Sequence, residues 1–512
     1  MMRPAAGFMA LLAGLFLALP ALAQTGDADR GEEVYLGRCV LCHGEEGDGL
    51  GPAAERLNPP PRDFTSGQYK IKTTAFNDVV PNDADFIRMI RDGMPGTAMP
   101  AWSDALSEQD IKDVVAYIKT FAELEEEKPT AQVDYGTRVE SSPESIARGD
   151  KVFHDGDRCS ECHGREGKGD AVKKLKDDNG DRTWPRNLTK PWTFLASNAP
   201  EDVFARISVG IPSTQMPSFA DPKSKKKLSI EDRWHVANYV ASLAKTEKVA
   251  RPGNTVVTAA RIDGALPDRP DDPAWERGRP STFFLVPQII AKERLFTPTN
   301  DTVTVRALYN EREIGIHLEW DDRTKSIPGD PAAEKIAEGT MGEDAVAIQF
   351  PVEMPAGMEK PYFLMGDAAK PVTLWRWSGG TTEKQESVTL FNARGIDEKE
   401  DRDIAKAGLT AKGDYKDGTW RVAMKRPLRT AETDMDLQFE EGRFIPIAFA
   451  IWDGSNAEQG TKHTLTTWYW LSLTPPAGRK PIVAAIAVTL LGGGLFFWWG
   501  WSAPRRRADA ED

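Results

Sequence analysis

The spacing of apolar residues divides the chain into a helical first half and a strand-rich second half. Apolar positions recur at helical spacing over 106–122 and again over 228–244, and Ser107 and Ser229 stand where each helix would begin. After Ala250 short alternating runs separated by turn residues predict strands without long helices. The predicted strands are Thr302–Tyr309, Glu313–Trp320, Ala345–Phe350, Val372–Trp377, Val388–Asn392, Thr419–Met424, Ile445–Ile451 and Thr466–Leu473.

The two ends of the chain predict export and a membrane anchor. Residues 1–23 combine an arginine, a short apolar run and a small-residue cleavage site ending at Ala23, so we expect a signal peptide there. Ile482–Trp501 carries no charge and as a helix would span a bilayer core of about 30 Å. Because the basic run Arg505–Arg507 should stay cytoplasmic, we expect a single-pass protein on the periplasmic side of the inner membrane, with its C-terminus in the cytoplasm.

The chain has 4 cysteines, and all of them fall in two copies of one C-x-x-C-H pattern. Covalent c-type haem explains this spacing, because two thiols form thioethers with the haem vinyl groups while the following histidine ligates the iron. Zinc would need a fourth ligand in each cluster, and a redox dithiol would not need the histidine. The sequence therefore predicts two haem c groups, with thioethers from Cys39, Cys42, Cys159 and Cys162 and iron ligation by His43 and His163.

The repetition extends beyond the two motifs. Gly44–Gly49 after the first motif corresponds to Gly164–Gly169 after the second, and Pro61–Thr65 corresponds to Pro185–Thr189. The helical patterns near the end of each copy also correspond. Such extended similarity indicates a duplicated domain, and we expect the first copy over 27–125 and the second over 140–248.

A low-spin electron carrier needs a sixth iron ligand, and the repeat selects candidates for it. Met94 and Met99 both follow the first motif, but an ungapped alignment places Met94 opposite Ile211 and Met99 opposite Met216. A position occupied by isoleucine in one copy cannot be the ligand in both, so we predict Met99 and Met216. Ligation by His and Met fills both axial positions, which favours electron transfer over peroxide or oxygen chemistry. The alternative ligands at the second haem are His154 and His235.

On these motifs both copies resemble class I cytochrome c. The resemblance implies two all-α cytochrome c domains. It also suggests that Arg62 and Arg186 meet haem propionates, although a solvated arginine is an equally good interpretation. Residues 24–130 carry 11 basic and 21 acidic side chains, whereas 131–250 carry 20 and 18. The acidic first copy could steer a basic redox partner, or its charge could serve solubility alone.

The strand-rich region, residues 255–475, is expected to form an antiparallel β-sandwich. Its sequence resembles the haem-binding gamma subunit of ethylbenzene dehydrogenase and of related dimethylsulfide dehydrogenases, selenate and chlorate reductases and nitrite oxidoreductases. The segments that carry this resemblance are Asp271–Trp275, Leu318–Asp322, Ala345–Pro351, Met365–Asp367 and Leu374–Trp377.

The resemblance implies one haem b with a methionine and a lysine as iron ligands. Met365 is the natural thioether ligand, and one of Lys406 and Lys412 would supply the amine. A lysine ligand must be desolvated and neutral, so either lysine alone is more simply an exposed charge. Two alternatives stay open for this domain: loss of the haem, and a carbohydrate-binding sandwich that serves a dehydrogenase.

Charge and motifs together define the expected function. The net charge of −13 argues against nucleic acid as a partner. The resemblance implies a membrane-anchored electron-transfer subunit, not itself an enzyme, that links a molybdenum catalytic subunit of the nitrate, nitrite or related oxyanion class and its iron–sulfur subunit to the respiratory chain. A soluble cytochrome or a quinol-oxidising complex would be the outer redox partner. A dihaem peroxidase is the third hypothesis, and it would need an open sixth iron position.

Overall fold

The computed structural model describes residues 25–502 except 58, 96, 171–174, 179, 181, 245–251, 297, 358 and 476–478. The predicted signal peptide, residues 1–23, and the basic run Arg505–Arg507 lie outside the described residues. The chain forms two compact units, Met1–Asp134 and Tyr135–Asp512.

The first unit is helical in its regular structure. Its last helix begins at Ser107, whose hydroxyl accepts a hydrogen bond from the Asp110 amide, so the predicted serine cap is confirmed. The first helix crosses the last at Gly31, where an added Cβ would lie 2.0 Å from the Asp113 carbonyl oxygen. Only glycine permits this approach. The elements are α1 (Ala28–Arg38), α2 (Val40–His43), the 3₁₀ turn Ala54–Arg56, α3 (Asp83–Asp92) and α4 (Glu108–Thr120).

The second unit begins with a domain built in the same way. Its last helix begins at Ser229, which accepts from the Asp232 amide, and its first helix crosses that helix at Gly149. An added Cβ at Gly149 would lie 2.0 Å from the His235 carbonyl oxygen. The elements are α5 (Pro143–His154), α6 (Ser160–His163), the short strands β1 (Leu175–Lys176) and β2 (Arg182–Thr183), α7 (Pro200–Val209) and α8 (Ile230–Leu243). The strand pair departs from the all-α expectation.

A strand-rich domain completes the second unit. All eight predicted strands are present, although the last, β16, begins at Tyr469, three residues later than predicted. The elements are β3 (Val256–Arg261), β4 (Ser281–Phe284), β5 (Val286–Pro287), β6 (Thr302–Tyr309), β7 (Glu313–Asp321), α9 (Pro331–Glu334), β8 (Ala345–Pro351), β9 (Val372–Ser378), β10 (Ser387–Ala393), β11 (Lys399–Asp401), α10 (Ile404–Ala407), β12 (Thr410–Lys416), β13 (Thr419–Pro427), β14 (Phe444–Trp452), β15 (Thr464–Leu465) and β16 (Tyr469–Leu473).

The strands form one continuous sheet that folds back on itself. Its order is β11-β10-β9-β8-β14-β16-β3-β6-β7-β13-β12, and β14 joins the two halves: Phe444–Ile447 pair with β16, whereas Ala448–Trp452 pair with β8. Apolar side chains from both halves share one core, in which the rings of Trp377 and Trp420 lie 4.9 Å apart. The expected antiparallel arrangement is corrected, because β3 pairs in parallel with both β16 and β6.

The predicted transmembrane helix at 482–501 is wrong. A helix, α11 (Arg479–Ser502), forms there, but no helix in the described part of the chain is long and apolar enough to cross a membrane. The expected membrane anchor, and the single-pass location on the periplasmic side of the inner membrane, are corrected accordingly.

Candidate functional site

Each C-x-x-C-H motif folds into one short helical turn. Cys39 and Cys159 precede helices α2 and α6, which end at the motif histidines. The amide of each histidine donates to the carbonyl of the first cysteine, at 3.0 Å for His43 and 2.9 Å for His163. The turn therefore gathers two thiols and one imidazole in each domain.

The two motif histidines have the same orientation. The Nδ1 atom of His43 lies 3.1 Å from the Arg62 carbonyl oxygen, and Nδ1 of His163 lies 3.1 Å from that of Arg186. Because a carbonyl only accepts, Nδ1 must carry the proton, which leaves the lone pair on Nε2. Burial lowers the pKa of both histidines and keeps them neutral. A neutral imidazole with a free Nε2 is what iron ligation requires.

The first thiol of each motif does not have the properties of a redox-active cysteine. Burial raises the pKa of Cys39 to about 11 and that of Cys159 to about 12. Redox-active cysteines instead have lowered pKa values, because their chemistry needs the thiolate. All four cysteines are half-buried and none is in a disulfide, so both motifs fit the covalent haem group.

The loops that carry the predicted sixth ligands also match. The Met94 amide donates to the Met99 carbonyl at 3.1 Å, and the Ile211 amide donates to the Met216 carbonyl at 3.1 Å. A threonine hydroxyl two residues earlier accepts from the amide of each predicted ligand, at 3.1 Å for Met99 and 3.2 Å for Met216. Met94 and Ile211 therefore occupy equivalent positions in the two domains. This equivalence supports the choice of Met99 and Met216.

The alternative histidine ligands are engaged elsewhere. Both ring nitrogens of His154 lie near carbonyl oxygens, at 2.9 Å from Asp150 and 3.0 Å from Arg165. His235 places Nδ1 at 2.9 Å from the Ser145 hydroxyl. These contacts hold both rings within the α5–α8 helix pair and its adjoining loop, which argues against ligation by either one.

The loop after β2 joins the second helical domain to the strand-rich domain. The buried Lys190 ammonium donates to the Thr302 hydroxyl at 2.8 Å and pairs with Asp321 at 2.8 Å and Asp301 at 3.2 Å. Burial alone would lower the pKa of Lys190, but the two carboxylates outweigh it and raise that pKa. The Arg323 guanidinium lies 4.5 Å from the Trp184 ring centroid. Sequence reasoning missed this junction, because no local pattern connects residues so far apart in the chain.

The same loop carries Arg186, one of the two predicted propionate arginines. Burial lowers the pKa of its guanidinium, and the charge of Asp301 opposes that effect. Arg186 thus supplies its carbonyl to His163 while its charged group faces the strand-rich domain. In the first unit Arg62 supplies its carbonyl to His43 in the same way.

The three predicted haem b ligands fit that group unequally. Met365 is half-buried and packs against a small cluster that includes Val372 and Trp468. Its φ of +63° is a left-handed conformation that is strained for methionine and is typical of functional positions. Lys406 and Lys412 are both exposed. Since an iron-bound amine must be desolvated, Met365 fits haem b, whereas the two lysines as placed do not.

Comparisons with family models agree with this division of the chain. Residues 26–118 match the model described as cytochrome c oxidase, cbb3-type, subunit III, and residues 146–244 match cytochrome c. Residues 272–403 and 394–464 match ethylbenzene dehydrogenase. The chain therefore contains two haem c domains that belong to the cytochrome c family, followed by a domain of the ethylbenzene dehydrogenase family, and both predicted resemblances are confirmed.

Individual relatives point the same way. The chain is 27% identical over 48% of its length to the putative respiratory nitrate reductase heme subunit ORF7 of Haloferax mediterranei, of which it covers 81%. It is 26% identical over 46% of its length to the dimethylsulfide dehydrogenase subunit gamma of Rhodovulum sulfidophilum, of which it covers 87%. A chain of a solved reducing HAO-like protein complex from Kuenenia stuttgartiensis is 36% identical, with 43% of this chain and 97% of that chain covered and a TM-score of 0.39. The relatives confirm that the chain is an electron-transfer subunit rather than a catalytic one.

Proposed function

We propose that this chain passes electrons between a molybdenum catalytic subunit, reached through an iron–sulfur subunit, and an outer carrier. The gamma-subunit relatives support this assignment of partners. The nitrate reductase relative supports a partner enzyme of the nitrate, nitrite or related oxyanion class. A soluble cytochrome or a quinol-oxidising complex would be the outer carrier. The observation that carries the proposal is the duplicated histidine geometry, with Nδ1 at 3.1 Å from a carbonyl oxygen in both copies.

The residues of each haem c site have separate tasks. The two cysteines fix the group covalently, and the histidine, with its tautomer set by the carbonyl of Arg62 or Arg186, presents Nε2 to the iron. Met99 and Met216 would supply the second protein ligand to each iron and would leave no ligand site for water or peroxide. Haem iron, when bound, supplies one-electron redox chemistry. With two protein ligands for each iron, the sites would favour electron transfer over bond-making reactions.

The junction around Lys190 supports a path within the second unit. Residues 184–190 lie between the second haem motif and the strand-rich domain, and their contacts bury a lysine between two carboxylates. Buried, multiply bonded ion pairs fix geometry better than exposed ones. The two domains would then keep a constant separation, which electron transfer between fixed centres needs.

We also propose that the strand-rich domain binds one haem b, with Met365 as one ligand. The family match and the strained, half-buried position of Met365 support this. The exposed Lys406 and Lys412 leave the second ligand a prediction. Seven of the domain's tryptophans are buried (Trp275, Trp320, Trp375, Trp377, Trp420, Trp452 and Trp468), which does not favour an exposed aromatic platform for sugars.

A pyridine haemochrome spectrum of the purified chain, with haem counted per polypeptide, tests both proposals. We expect two covalent haem c and one acid-extractable haem b. Replacement of both Cys159 and Cys162 by alanine should leave one haem c and the haem b, and Met365→Ala should reduce the haem b alone. Two haem c without haem b in the fully loaded parent chain would refute the haem b site. High-spin spectra with rapid peroxide turnover would refute the electron-transfer assignment.

A further inference from the structure

Three buried aspartates from distant parts of the chain meet at one end of the strand-rich domain. Asp322 follows β7, Asp344 precedes β8 and Asp453 follows β14, and their exposed fractions are 2%, 0% and 4%. One carboxylate oxygen from each residue lies within 4.8 Å of the others. None of the three takes part in the haem sites described above.

No direct ion pair neutralises this cluster within the described residues. Within the described part of the chain, no lysine or arginine forms an ion pair with any of the three aspartates. The neighbouring Arg323 guanidinium stacks on Trp184, and the charges of Asp301, Asp453 and Asp321 act on it without a direct ion pair to the cluster. A fourth acid, Glu458, is 1% exposed, and its side chain accepts from the Asp453 amide at 3.1 Å. Several buried carboxylates without a cation carry a large desolvation cost.

One oxygen of the cluster accepts no hydrogen bond of good geometry within the described residues. That oxygen, Asp322 Oδ2, is buried, whereas the Oδ1 atom accepts from the Thr324 amide at 3.2 Å. Buried carboxylate oxygens are almost always satisfied, so an orphan beside two other carboxylates indicates a missing electropositive partner. Burial, followed by the charges of Asp344 and Asp453, raises the pKa of Asp322, and hydrogen bonding from the Thr324 amide and the Trp320 side chain offsets only part of that rise.

The other two carboxylates are held in place by surrounding donors. Asp344 accepts from the Ser326 amide at 2.7 Å, from Trp420 Nε1 at 2.9 Å and from the Gly454 amide at 2.9 Å. Asp453 accepts from the Ser455 amide at 2.9 Å. Asp453 Oδ1 also accepts from the Ser455 hydroxyl at 2.7 Å and the Asn456 amide at 3.3 Å, and Oδ2 accepts from the Thr299 hydroxyl at 2.5 Å. Asp344 Oδ1 and Asp453 Oδ2 therefore carry one donor each, so both carboxylates are oriented and each keeps an oxygen with a free lone pair. Such outer hydrogen bonds are typical of metal ligands.

We propose that Asp322, Asp344 and Asp453 bind one calcium ion. Calcium takes oxygen ligands at about 2.4 Å, so oxygens that all lie within 4.8 Å of one another can surround one such ion. Calcium is preferred over magnesium because the cluster is buried and magnesium keeps several of its waters. Carboxylates without thiol or imidazole ligands also disfavour zinc.

The position of the site gives the ion a structural role at the domain junction. Asp322 stands between Asp321, which pairs with Lys190, and Arg323, which stacks on Trp184. The Asp322 carbonyl accepts from the Tyr415 hydroxyl at 3.0 Å. A bound ion would therefore fix the chain segment that holds the second haem c domain, together with the ends of β8 and β14.

Calcium content and thermal unfolding of the haem-loaded chain test the site. After treatment with EGTA and desalting, added CaCl₂ should restore one tightly bound calcium per chain by atomic emission. It should also raise the unfolding midpoint by about 5 °C at a hundred times Kd. MgCl₂ at the same concentration should raise it much less. An absence of bound calcium, or an equal response to both salts, would overturn the assignment.

Substitution by asparagine distinguishes a calcium site from a cluster of carboxyl groups that share protons and bind no metal ion. If Asp344 is a calcium ligand, Asp344→Asn should abolish the calcium-dependent rise and the bound calcium. If the cluster is protonated instead, Asp344→Asn copies the neutral acid and should stabilise the chain in EGTA while the parent shows no calcium response. Asp397→Asn, at an exposed position of the same domain, is the matched control and should keep the full response. The parent measurement remains decisive if Asp344→Asn does not fold.

Discussion

At the scale of single residues, the duplication acts as an internal control on each assignment. Met94 in the first domain and Ile211 in the second occupy equivalent positions. Because isoleucine cannot ligate iron, this difference between the copies distinguishes a packing position from a ligand position. The motif histidines repeat the same 3.1 Å contact to a carbonyl in both copies. Two independent copies that agree on histidine, thiols and methionine make an accidental arrangement of these groups implausible.

The methionine assignment predicts how the reduction potentials respond to substitution. Met216→His should lower the potential of one haem c by on the order of 100 mV, because a thioether ligand stabilises ferrous iron relative to imidazole. Met99→His should do the same to the other haem. Spectropotentiometric titration of the purified chain measures both. Met94→Ile, which copies the second domain, is the control and should leave both potentials unchanged. A shift caused by Met94→Ile, or none caused by Met216→His, would contradict the assignment.

At the scale of elements, the loop after β2 should contribute to the stability of the second unit through its buried Lys190. Lys190→Met leaves Asp301 and Asp321 without their buried cation and should lower the free energy of unfolding of the second unit by about 2 kcal/mol. The value is below that of a wholly buried pair because both carboxylates are partly exposed. Denaturant unfolding followed by tryptophan fluorescence measures it. Lys151→Met, at an exposed position on α5, should change the stability by less than about 0.5 kcal/mol; equal effects would contradict the interpretation.

Sequence patterns predicted those elements whose causes lie in neighbouring residues, and they missed those that depend on contacts between distant segments. The helices that begin at Ser107 and Ser229 carry their own caps, and strands such as Thr302–Tyr309 are bounded by turn residues, so both were predictable. Strand β12 (Thr410–Lys416) was missed because lysine, glycine and aspartate break its apolar alternation, and it forms only because β13 offers a hydrogen-bonding edge. The buried aspartates and Lys190 depend on contacts between distant segments, which no local pattern contains.

Two buried histidines of the strand-rich domain should make the chain less stable in acid. Burial lowers the pKa of His317 to about 3 and that of His463 to about 4, whereas in the unfolded chain each titrates near about 6.5. Below that value the unfolded state binds more protons than the folded state. The free energy of unfolding should therefore fall as pH drops from 6.5 to 5, by up to about 1.4 kcal/mol per unit for each histidine.

The variant His317→Gln measures the contribution of one histidine to this loss of stability in acid. Unfolding midpoints at pH 6.5 and 5 should differ less in His317→Gln than in the parent chain, because one proton-linked term has been removed. His154→Gln removes a half-exposed histidine of α5 whose pKa is raised in the folded chain, so this variant should not reduce the acid sensitivity. If both variants keep the same difference between the two pH values, His317 is not held neutral in the folded chain.

At the scale of the whole molecule, charge is distributed unevenly over the two haem c domains. Residues 24–130 carry 11 basic and 21 acidic side chains, whereas residues 131–250 carry 20 and 18. The second domain is joined to the strand-rich domain through Lys190, so part of its charge is already paired within the chain. The first domain keeps a strong negative excess, and Glu45 and Glu46 are exposed directly after its haem motif. This arrangement favours the first domain as the point of exchange with a basic external carrier.

Electron exchange with such a carrier should therefore depend on salt and on the position of the charge. The rate of reaction with a basic soluble cytochrome, measured by stopped flow, should fall as ionic strength rises, because screening weakens long-range attraction. Reversal of both charges beside the haem, Glu45→Lys with Glu46→Lys, should lower the rate at low salt by about tenfold. The same double reversal at the exposed Glu125 and Glu126 changes the net charge equally and should have a smaller effect. A rate insensitive to salt, or equal losses in the two variants, would show that the acidity of this domain does not guide docking near its haem.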